Sequence, residues 1–405
     1  MTDSVPATQR IARSAFWGSL GLVVYTYAGF PLLTAARAWL RPRPPRTAPI
    51  TPSLSMVIAA HNEERSIKAK LENALGVNYP PDHLEILVVS DGSLDTTEAV
   101  VAGFEDRGVR LLALPRQGKN AALNAGVAAT SGEIVVVSDA DSLLSADALR
   151  HLMAPFADET VGCVGGDFRY TPEPSTLEGQ RAYWGLERTL KSLQSRSGST
   201  TGVSGALFAV RRTLCAELPP DVADDFFLAG SVLAARRRVV FAPQATAHGR
   251  LASRIEREFD RKVRIITTGL RAVIRLRTLL SPRRHGLLAV QLLSHKVLRR
   301  LMVLPMISMA VSGFLLRRRA TVYRRVAAAH LLLHALAIAG FALRHTRVGG
   351  ARPLALPMFV DMTNLAALKA IANLARGHRR AERLAVWSPD RDEPAPGSTK
   401  APEST

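Results

Sequence analysis

The sequence predicts an α/β domain flanked by membrane-spanning helices. Four short apolar runs rich in β-branched residues follow one another between residues 54 and 139, mostly separated by stretches of helical length. Apolar stretches of about bilayer length precede and follow this region. Strands that alternate with helices at such a spacing are typical of a parallel sheet with helices on its faces. The expected fold is therefore Rossmann-like, with further helices in a membrane.

After a short tail, residues 1–14, the first expected element is a transmembrane helix at residues 15–36. Its 22 positions carry no charge, and an arginine-rich stretch follows it. At about 1.5 Å per residue such a helix spans a bilayer. A cleaved signal peptide with a site at 36–38 is the alternative, but the run exceeds the ~7–15 apolar residues of a signal core. We expect a retained anchor, with the next domain cytoplasmic because arginines follow the helix.

The central domain is expected at residues 48–249, with four strands at 54–60, 84–90, 109–115 and 133–139. No G-x-G-x-x-G follows the first strand, and no G-x-x-x-x-G-K-[ST] occurs in the chain. These absences exclude the dinucleotide fingerprint and the P-loop. Any nucleotide is therefore held in another way.

Amphipathic interface helices are expected at residues 250–299, and two or three transmembrane helices at 300–375. In the first segment apolar residues recur at three- and four-residue steps, which favours a helix along the membrane surface. These residues are Ile255, Phe259, Val263, Ile266 and Leu270. The segment 388–405 is rich in Pro, Ser and acidic residues and predicts a disordered tail.

The basic loop 317–325 leaves the membrane topology open. If residues 301–316 leave the cytoplasm, this loop lies outside, against the tendency of basic loops to stay inside. Either residues 285–316 form a hairpin or a surface helix, or the tendency fails in this arginine-rich chain.

Composition favours a membrane protein over other classes. Hydrophobic residues make up 47% of the chain, which is high for a soluble enzyme. The net charge is +19, and residues 250–383 account for all of this excess, because 27 Lys and Arg face 5 Asp and Glu there among the apolar runs while the rest of the chain has a deficit of 3. No basic stretch is interleaved with aromatic residues, so membrane lipids rather than nucleic acid are the expected partners. Cys163 and Cys215 lack the spacing of a zinc site and are expected in the core.

Polar residues follow each of the four predicted strands, at 59–64, 90–95, 116–126 and 138–142. The carboxyl ends of parallel strands meet at one edge, so these residues are expected to share one cleft. Asp139 and Asp141 stand either side of one alanine, where one carboxylate can bind a hydroxyl and the other a divalent cation. Oxygen ligands favour Mg²⁺ or Mn²⁺ over Zn²⁺. A solvated acidic turn is the alternative.

Five motifs stand in order between residues 54 and 270: VIAAHNEERSI, LEILVVSDGSLDTT, RQGKNAALNAGVAATSGEIVVVSDAD, TGVSGALFAVRR and VADDFFLAGSVLAARRRVVFAPQA. In this order and spacing, the chain resembles the inverting family 2 glycosyltransferases with a glycosyltransferase-A fold. More narrowly, it resembles the membrane-embedded branch related to hyaluronan, chitin, cellulose and poly-N-acetylglucosamine synthases.

The resemblance implies roles on the donor side of the cleft. Asn62 and Glu63 would meet the nucleotide at the end of the first strand, and Asp91 would hold the base. Lys119 would lie near the diphosphate. Asp139 would face the ribose, and both Asp139 and Asp141 are expected at the metal, Mg²⁺ or Mn²⁺.

On the acceptor side, Asp225 matches the general base that deprotonates the acceptor hydroxyl, with Asp224 beside it. Gly202 and Gly205 match the loop that lines the acceptor position. A single positioned base suffices for a transfer with inversion.

One motif departs from the processive members of the family, which carry Gln-x-x-Arg-Trp on the interface helix. The corresponding residues are Arg261, Arg264 and Ile265. Arg264 keeps a cation for the diphosphate, but isoleucine offers no flat face for a sugar ring. The resemblance therefore implies transfer and leaves long-chain polymerisation in doubt.

The expected function is transfer of a sugar, with inversion, from a nucleotide-sugar, UDP-linked by family tendency, to a lipid-linked or glycan acceptor. The expected enzyme is a hexosyl- or N-acetylhexosaminyltransferase of the cell membrane, multi-pass, with a cytoplasmic catalytic domain. A processive synthase and a catalytically silent nucleotide-binding subunit are the alternatives.

Overall fold

The computed structural model describes residues 6–170, 178–249, 255–346 and 348–376, without the side chains of 178–183 and 255. The predicted tail at 388–405 lies outside these residues, as do residues 1–5 of the predicted N-terminal tail. Residue 7 already begins a helix, so the first helix starts earlier than expected.

The strands are β1 Leu54–Ala60, β2 Leu84–Asp91, β3 Val109–Leu114, β4 Ile134–Ser138, β5 Leu143–Leu144, β6 Val161–Tyr170, β7 Leu207–Arg211 and β8 Arg238–Gly249. The helices of the central domain and its N-terminal flank are α1 Ala7–Val24, α2 Phe30–Leu40, α3 Ile67–Leu75, α4 Thr97–Ala102, α5 Lys119–Ala128, α6 Ala148–Met153, α7 Glu178–Arg196 and α8 Asp224–Ala234. The remaining helices are α9 Ile255–Arg275, α10 Pro282–His285, α11 Leu287–Leu292, α12 Arg299–Leu301, α13 Val303–Leu316, α14 Thr321–Ala342 and α15 Arg352–Ala375. Two π-helical turns, Tyr25–Gly29 and Leu293–Leu298, interrupt longer helices.

The eight strands form one sheet in the order β3-β2-β1-β4-β7-β6-β8-β5. Strands β3, β2, β1 and β4 are mutually parallel, as the sequence predicts. The other half is mixed, because β7 runs antiparallel to both β4 and β6 while β8 runs parallel to β6. The sheet is therefore larger than the predicted parallel core, and only its first half follows the expected pattern.

Strand β1 is buried along its whole length, because helices cover both faces of the sheet. Met56 and Ile58 belong to one core cluster with α3 and α6 side chains, while Val57 and Ala59 belong to the opposite cluster with side chains of α5 and α8. The continuous apolar run of β1 reflects this burial on two sides.

The register of the parallel strands brings their carboxyl ends to one edge. Ala60 of β1 pairs with Ser90 of β2, and Asp91 pairs with Leu114 of β3. The polar segments that follow these strands are thereby neighbours in space, as the sequence predicts.

Within the described part of the chain, three helices are long and apolar enough to cross a membrane: Ala7–Leu40, Thr321–Ala342 and Arg352–Ala375. The first includes the predicted 15–36 helix and continues through the π-helical turn at 25–29. The helices Leu287–Leu298 and Val303–Leu316 pass the same test only together, and they are bent by 65°. The bent pair is compatible with a broken span or with a re-entrant loop, so the topology of this segment stays open.

The apolar stripe of α9 packs against protein. Val263, Ile266 and Leu270 form a buried cluster with Ala366 and Ala370 of α15. The small alanine side chains allow the two helices to approach closely. This face of α9 is therefore covered by α15, whereas the sequence favoured its lying on a membrane surface.

Candidate active site

The turn after β4 presents Asp139 and Asp141 at the edge of the sheet. The Ser142 hydroxyl donates to the Asp139 carbonyl (3.1 Å) and fixes the turn. Asp139 is half-buried, and Asp141 is exposed to solvent. Surrounding protein atoms nevertheless desolvate the Asp141 carboxyl and raise its pKa to about 6, with the charges of Asp139 and Glu63 acting in the same direction. A cation at this turn would relieve the crowded negative charge.

A lysine that sequence reasoning missed lies beneath this turn. Lys70 of α3 is fully buried. Its Nζ donates to the Ser138 hydroxyl (2.6 Å) and to the Ser142 carbonyl (2.7 Å), so it ties both ends of the turn. Burial lowers its pKa to about 8, although the charges of Asp139 and Asp141 oppose this shift. Lys70 thus supplies positive charge directly under the two acids.

Lys119 joins the two acidic groups of the cleft. Its Nζ lies 2.8 Å from Asp139 Oδ1 and 3.2 Å from Asp224 Oδ2. Burial acts to lower the pKa of Lys119, but the carboxylates of Asp139 and Asp224 outweigh burial and hold it above its usual value. The lysine is therefore a fixed positive charge between the end of β4 and the start of α8.

Asp91 holds the loop that leads to Lys119. Its carboxylate accepts hydrogen bonds from the backbone N–H of Gln117 (2.6 Å) and Gly118 (2.9 Å), and pairs with Arg116 Nη1 (2.9 Å). Gly92 has a positive φ of 62°, and a Cβ at this position would lie 2.8 Å from the backbone nitrogen of Arg116. This close approach therefore requires glycine. Both oxygens of Asp91, the predicted base ligand, are thus engaged by the loop.

Asn62 and Glu63 connect the ends of β1 and β2. Asn62 has a φ of 54°, a conformation that asparagine tolerates, and its Oδ1 accepts the Leu94 N–H at 2.8 Å. The backbone N–H of Glu63 donates to the Thr97 hydroxyl at 2.7 Å, and its carboxylate accepts from Ser66. Both residues lie at the expected edge of the sheet, where they shape the loops around it.

Asp224 and Asp225 begin α8 on the other side of the cleft. Burial raises the pKa of Asp225 to about 6, with the charge of Asp224 in support, while the Phe226 N–H, Lys119 and Lys296 oppose the shift. The Phe226 N–H donates to Asp225 Oδ1 at 2.6 Å. A carboxylate of this basicity suits a general base near neutral pH.

Helix α5 positions the start of α8 through a residue that the sequence did not single out for this role. The side-chain amide of Asn120 donates to the carbonyls of Pro219 (2.6 Å) and Val222 (3.0 Å). Since Lys119 precedes Asn120, one helical turn fixes both the lysine and the segment that carries the two acids.

Gly205 lies between Asp139 and Asp225. A Cβ on this residue would be 3.9 Å from Asp139 Oδ2 and 3.9 Å from Asp225 Oδ2. The two carboxylates therefore converge on a space that the absent side chain leaves open. Gly202 lies deeper, where a Cβ would be 3.5 Å from Lys296 Nζ.

The predicted residues of the interface helix have other surroundings. Arg261 of α9 makes two hydrogen bonds to Glu258, at 2.7 and 3.1 Å, so the structure brings it to this glutamate rather than to the acidic cluster. Arg264 is half-buried further along the helix, and Ile265 is 44% exposed.

Among the described residues, no three His, Cys, Asp or Glu side chains come together as a metal site. A cation would therefore depend on Asp139, Asp141 and oxygen atoms of a bound substrate. Hard divalent cations accept such a site, because one or two carboxylates and substrate phosphates complete their shell. The acidic turn fits Mg²⁺ or Mn²⁺ in this sense.

Comparison with known proteins agrees with the resemblance. The family model described as Glycosyl transferase family 2 matches residues 55–218, which include the acidic turn, Lys119, Gly202 and Gly205. The matched segment is therefore similar to a family 2 glycosyltransferase domain. The resemblance noted from the five motifs is confirmed, while Asp224 and Asp225 follow just after the matched segment.

Curated relatives of this segment include a glucosyldiacylglycerol synthase and a poly-N-acetylglucosamine synthase. The probable glycosyltransferase YdaM of Bacillus subtilis is 31% identical over 179 residues, 41% of this chain and 42% of its own length. The beta-monoglucosyldiacylglycerol synthase of Nostoc is 32% identical over 154 residues, 36% and 33% of the two lengths. The poly-beta-1,6-N-acetyl-D-glucosamine synthase of Staphylococcus epidermidis is 27% identical over 165 residues, 40% of each. The chain thus spans less than half the length of these relatives.

A solved structure extends the similarity beyond the glycosyltransferase domain. The mannosyltransferase PcManGT from Pyrobaculum calidifontis, solved with GDP-Man and Mn²⁺, superposes with a TM-score of 0.67 over 89% of this chain and 99% of its own, at 23% identity. At this identity the similarity concerns the fold alone. It confirms the glycosyltransferase-A architecture that the motifs predict.

Proposed function

We propose that the chain is a multi-pass membrane glycosyltransferase that transfers one sugar at a time, with inversion, from a nucleotide-sugar to a lipid-linked or glycan acceptor. Its catalytic domain faces the cytoplasm. The observation that carries the proposal is the convergence of Asp139 and Asp225 on the space at Gly205, with Lys119 bridging Asp139 and Asp224. A donor-side acid, a basic carboxylate and a fixed cation are what such a transfer requires.

On the donor side, Asp141 and Asp139 would hold Mg²⁺ or Mn²⁺, and the cation would neutralise charge on the donor diphosphate. Lys119 adds a second positive charge near the leaving group. UDP-sugars are the first donors to test, because of the family tendency. GDP-mannose is the second, because the mannosyltransferase PcManGT was solved with GDP-Man.

In the transfer, Asp225 takes the proton of the acceptor hydroxyl while that oxygen attacks the anomeric carbon. The bond from this carbon to the diphosphate oxygen breaks on the opposite face, and the nucleoside diphosphate leaves with the electron pair. One new glycosidic bond forms, and the product has inverted configuration. The raised pKa of Asp225 supports this role, because burial makes the carboxylate a stronger base.

Single transfer is favoured over polymerisation by the surroundings of α9. Arg261 is held by Glu258, and Ile265 is 44% exposed. The aliphatic Ile265 side chain offers no flat face on which a sugar of a growing chain could stack. A poly-beta-1,6-N-acetyl-D-glucosamine synthase is nevertheless among the relatives, so product length is the measurement that separates the two modes.

The test is a donor screen on membranes that contain the full chain and have been washed with alkaline carbonate. We expect the protein to stay in the pellet, because helices such as Thr321–Ala342 are held by apolar burial. We expect one nucleotide-sugar to give nucleoside diphosphate release that requires Mg²⁺ or Mn²⁺, with products one sugar longer than the acceptor. Membranes without the chain are the control.

Each part of the proposal has its own contrary result. Extraction by carbonate would show that the apolar helices do not span the membrane. Full activity in excess EDTA would show that transfer does not need a metal ion. Ladders of long products would replace single transfer by polymerisation, and no turnover with any donor would reject the enzyme itself.

A further inference from the structure

A buried histidine joins the first helix of the bent pair to the loop that precedes β7. His295 lies in the π-helical turn Leu293–Leu298, and its ring is buried. Its Nδ1 lies 3.1 Å from the side-chain amide nitrogen of Gln194 and 3.1 Å from the Thr201 hydroxyl. Its Nε2 lies 3.1 Å from a carboxylate oxygen of Glu187. Each ring nitrogen therefore has its own partners.

The two ring nitrogens of His295 have different roles. An amide N–H can only donate, so Nδ1 accepts hydrogen bonds from Gln194 and from the Thr201 hydroxyl. Nε2 then carries the ring hydrogen and donates it to the Glu187 carboxylate. The carbonyl oxygen of the Gln194 side chain accepts from the Thr200 hydroxyl at 3.1 Å. His295 thus holds Thr201 directly and Thr200 through Gln194.

The contact at Nε2 is duplicated, whereas the contact at Nδ1 is not. The Glu187 carboxylate also lies 2.7 Å from Arg299 Nη1 and 3.6 Å from Lys296 Nζ, so it keeps charged partners without the imidazole. In the described part of the chain, the Thr201 hydroxyl bonds to His295 alone. Loss of Nδ1 would therefore leave a buried hydroxyl without a partner, which is the more costly loss.

The two threonines lead into the loop 199–205, which borders the space between the acids. The Thr200 N–H donates to the Val239 carbonyl of β8 at 2.8 Å, and its hydroxyl lies 3.3 Å from the Gly202 carbonyl. A Cβ on Gly202 would lie 3.5 Å from a ring carbon of Phe226, the residue after Asp225. The loop therefore packs against the start of α8, so a shift of the loop changes the space beside the base.

A second contact from the same helix reaches this loop. Gln291, one turn before His295, donates through its side-chain amide to the Ser199 carbonyl at 2.8 Å. The helix is itself tied to the N-terminal helix, because the hydroxyls of Ser294 and Tyr25, from the two π-helical turns, lie 2.7 Å apart. An extra residue in a helical turn often accompanies a functional site. The loop 199–205 is thus fastened to helices that continue into apolar segments.

We propose that His295 is a positioning residue that holds the loop 199–205 beside Asp225 through its Nδ1 atom. The acceptor hydroxyl then meets the base and the donor in one fixed geometry, whereas a released loop would still admit the donor but misplace the acceptor. His295 touches no reacting atom itself. This inference rests on the proposed function and adds to it the residue that connects the apolar helices to the acceptor side.

Two substitutions separate the two ring nitrogens. The side-chain amide of asparagine superposes on Nδ1 of a histidine, and that of glutamine superposes on Nε2. His295→Asn should therefore keep the contact to Thr201 and lose the contact to Glu187, whereas His295→Gln should do the reverse. The proposal expects rescue by asparagine alone, while a role in packing or in holding Glu187 does not.

The first measurement needs no substrate. Amide hydrogen exchange on the full chain in detergent, read by mass spectrometry of peptides that cover 199–205, reports opening of the loop. In His295→Gln this segment should exchange about tenfold faster or more, because a lost buried hydrogen bond favours local opening by about this factor. In His295→Asn it should stay within about twofold of the wild type. His151→Gln is the matched control, because His151 is exposed on α6, and it should exchange like the wild type.

The second measurement is transfer with the nucleotide-sugar that gives turnover in the donor screen. His295→Gln should lower the initial rate of transfer on washed membranes by about tenfold, and His295→Asn by no more than about twofold. Calorimetric affinities for UDP and GDP should be unchanged in both variants, since His295 lies away from the donor side. This split distinguishes a misplaced acceptor from a damaged enzyme.

A third variant protects the test against misfolding. Thr201→Val keeps the shape of the side chain and removes only the hydroxyl, so it should raise exchange at 199–205 as His295→Gln does. It carries the test if thermal melting shows that His295→Gln does not fold. In His295→Gln combined with Thr201→Val, the loss should not exceed that of the larger single change, because both remove the same contact.

Several results overturn the proposal. These are wild-type exchange at 199–205 in either folded variant that lacks the contact, equal losses in His295→Asn and His295→Gln, and an unfolded His295→Asn beside a folded His295→Gln. Failure of the wild-type chain to turn over any nucleotide-sugar would reject the proposed function instead. The exchange measurement is read independently of that result.

Discussion

The two sides of the cleft differ in how their charged side chains are paired. On the donor side, the acids Asp139 and Asp141 gather positive groups around them, with Lys70 beneath and Lys119 alongside. On the acceptor side, Lys296 and Arg299 pair with the buried carboxylate of Glu187. Under the proposed function, a cation completes the donor side, whereas the buried carboxylate of the acceptor side already has basic partners.

The largest expected effect comes from the residue where the two sides meet. Asp225→Asn should lower the transfer rate by about 10²-fold or more, because the amide cannot accept the hydroxyl proton. Donor affinity should stay nearly unchanged, since the residue belongs to the acceptor side. Asp141→Ala should weaken donor binding and abolish transfer together. Calorimetric donor binding and initial rates on both variants measure the contrast.

The pH profile sharpens this result. Burial raises the pKa of Asp225 to about 6, and only the ionised carboxylate can act as a base. With donor and cation saturating, kcat should fall about tenfold per pH unit below pH 6 and level off above about pH 7. The residual rate of Asp225→Asn should lack this dependence. Wild-type turnover in that variant would indicate that Asp224, and not Asp225, is the general base.

A smaller effect is expected at Lys70, the cation built into the donor side. Lys70→Met should destabilise the metal-free protein by about 2 kcal/mol, because two buried acceptors lose a charged donor. Mn²⁺ should raise the melting temperature of this variant more than that of the wild type, since the metal ion replaces the missing charge. Thermal melting with and without Mn²⁺ measures both effects.

Lys68→Met is the matched control, because Lys68 lies two residues away on α3 and is exposed. It should melt like the wild type. Equal stabilisation by Mn²⁺ in all three proteins would mean that Lys70 does not compensate the acidic turn.

The smallest expected effect is at Gly205, between the two sides. Gly205→Ala places a methyl group 3.9 Å from each of Asp139 Oδ2 and Asp225 Oδ2, which is an ordinary contact that the fold tolerates. It occupies space that we assign to the reacting groups, so kcat/KM should fall by up to about tenfold without a change in melting temperature. Gly185→Ala, at an open position of α7, should change neither. Unaltered kinetics in Gly205→Ala would place the reaction elsewhere.

The donor half of the fold was readable from the sequence, and the other half was not. Strands β1 to β4 are buried on both faces, so they appear as apolar β-branched runs, and the predicted bounds agree to within one residue. Strand β6, VGCVGGDFRY, contains three glycines and ends in polar residues, which weakens its pattern. Its pairing with β7 and β8 depends on segments distant in sequence.

The site divides in the same way. The acids at the strand ends were predictable because parallel strands bring their carboxyl ends together. Lys70 left a faint signal, since it lies on the same helical stripe as Ile67, Leu71 and Ala74 and so on the buried face of α3. Nothing in the sequence indicates the contact between Glu187 and Lys296, because only tertiary packing joins these residues.

The bridge that Lys119 makes between Asp139 and Asp224 has a consequence for how the two substrates influence each other. A donor diphosphate that takes up Lys119 withdraws positive charge from Asp224, and Asp224 in turn acts on Asp225. The affinities for donor and acceptor are then linked, and each must alter the other by the same factor. The ammonium group of Lys119 would thus couple donor binding to acceptor binding across the cleft.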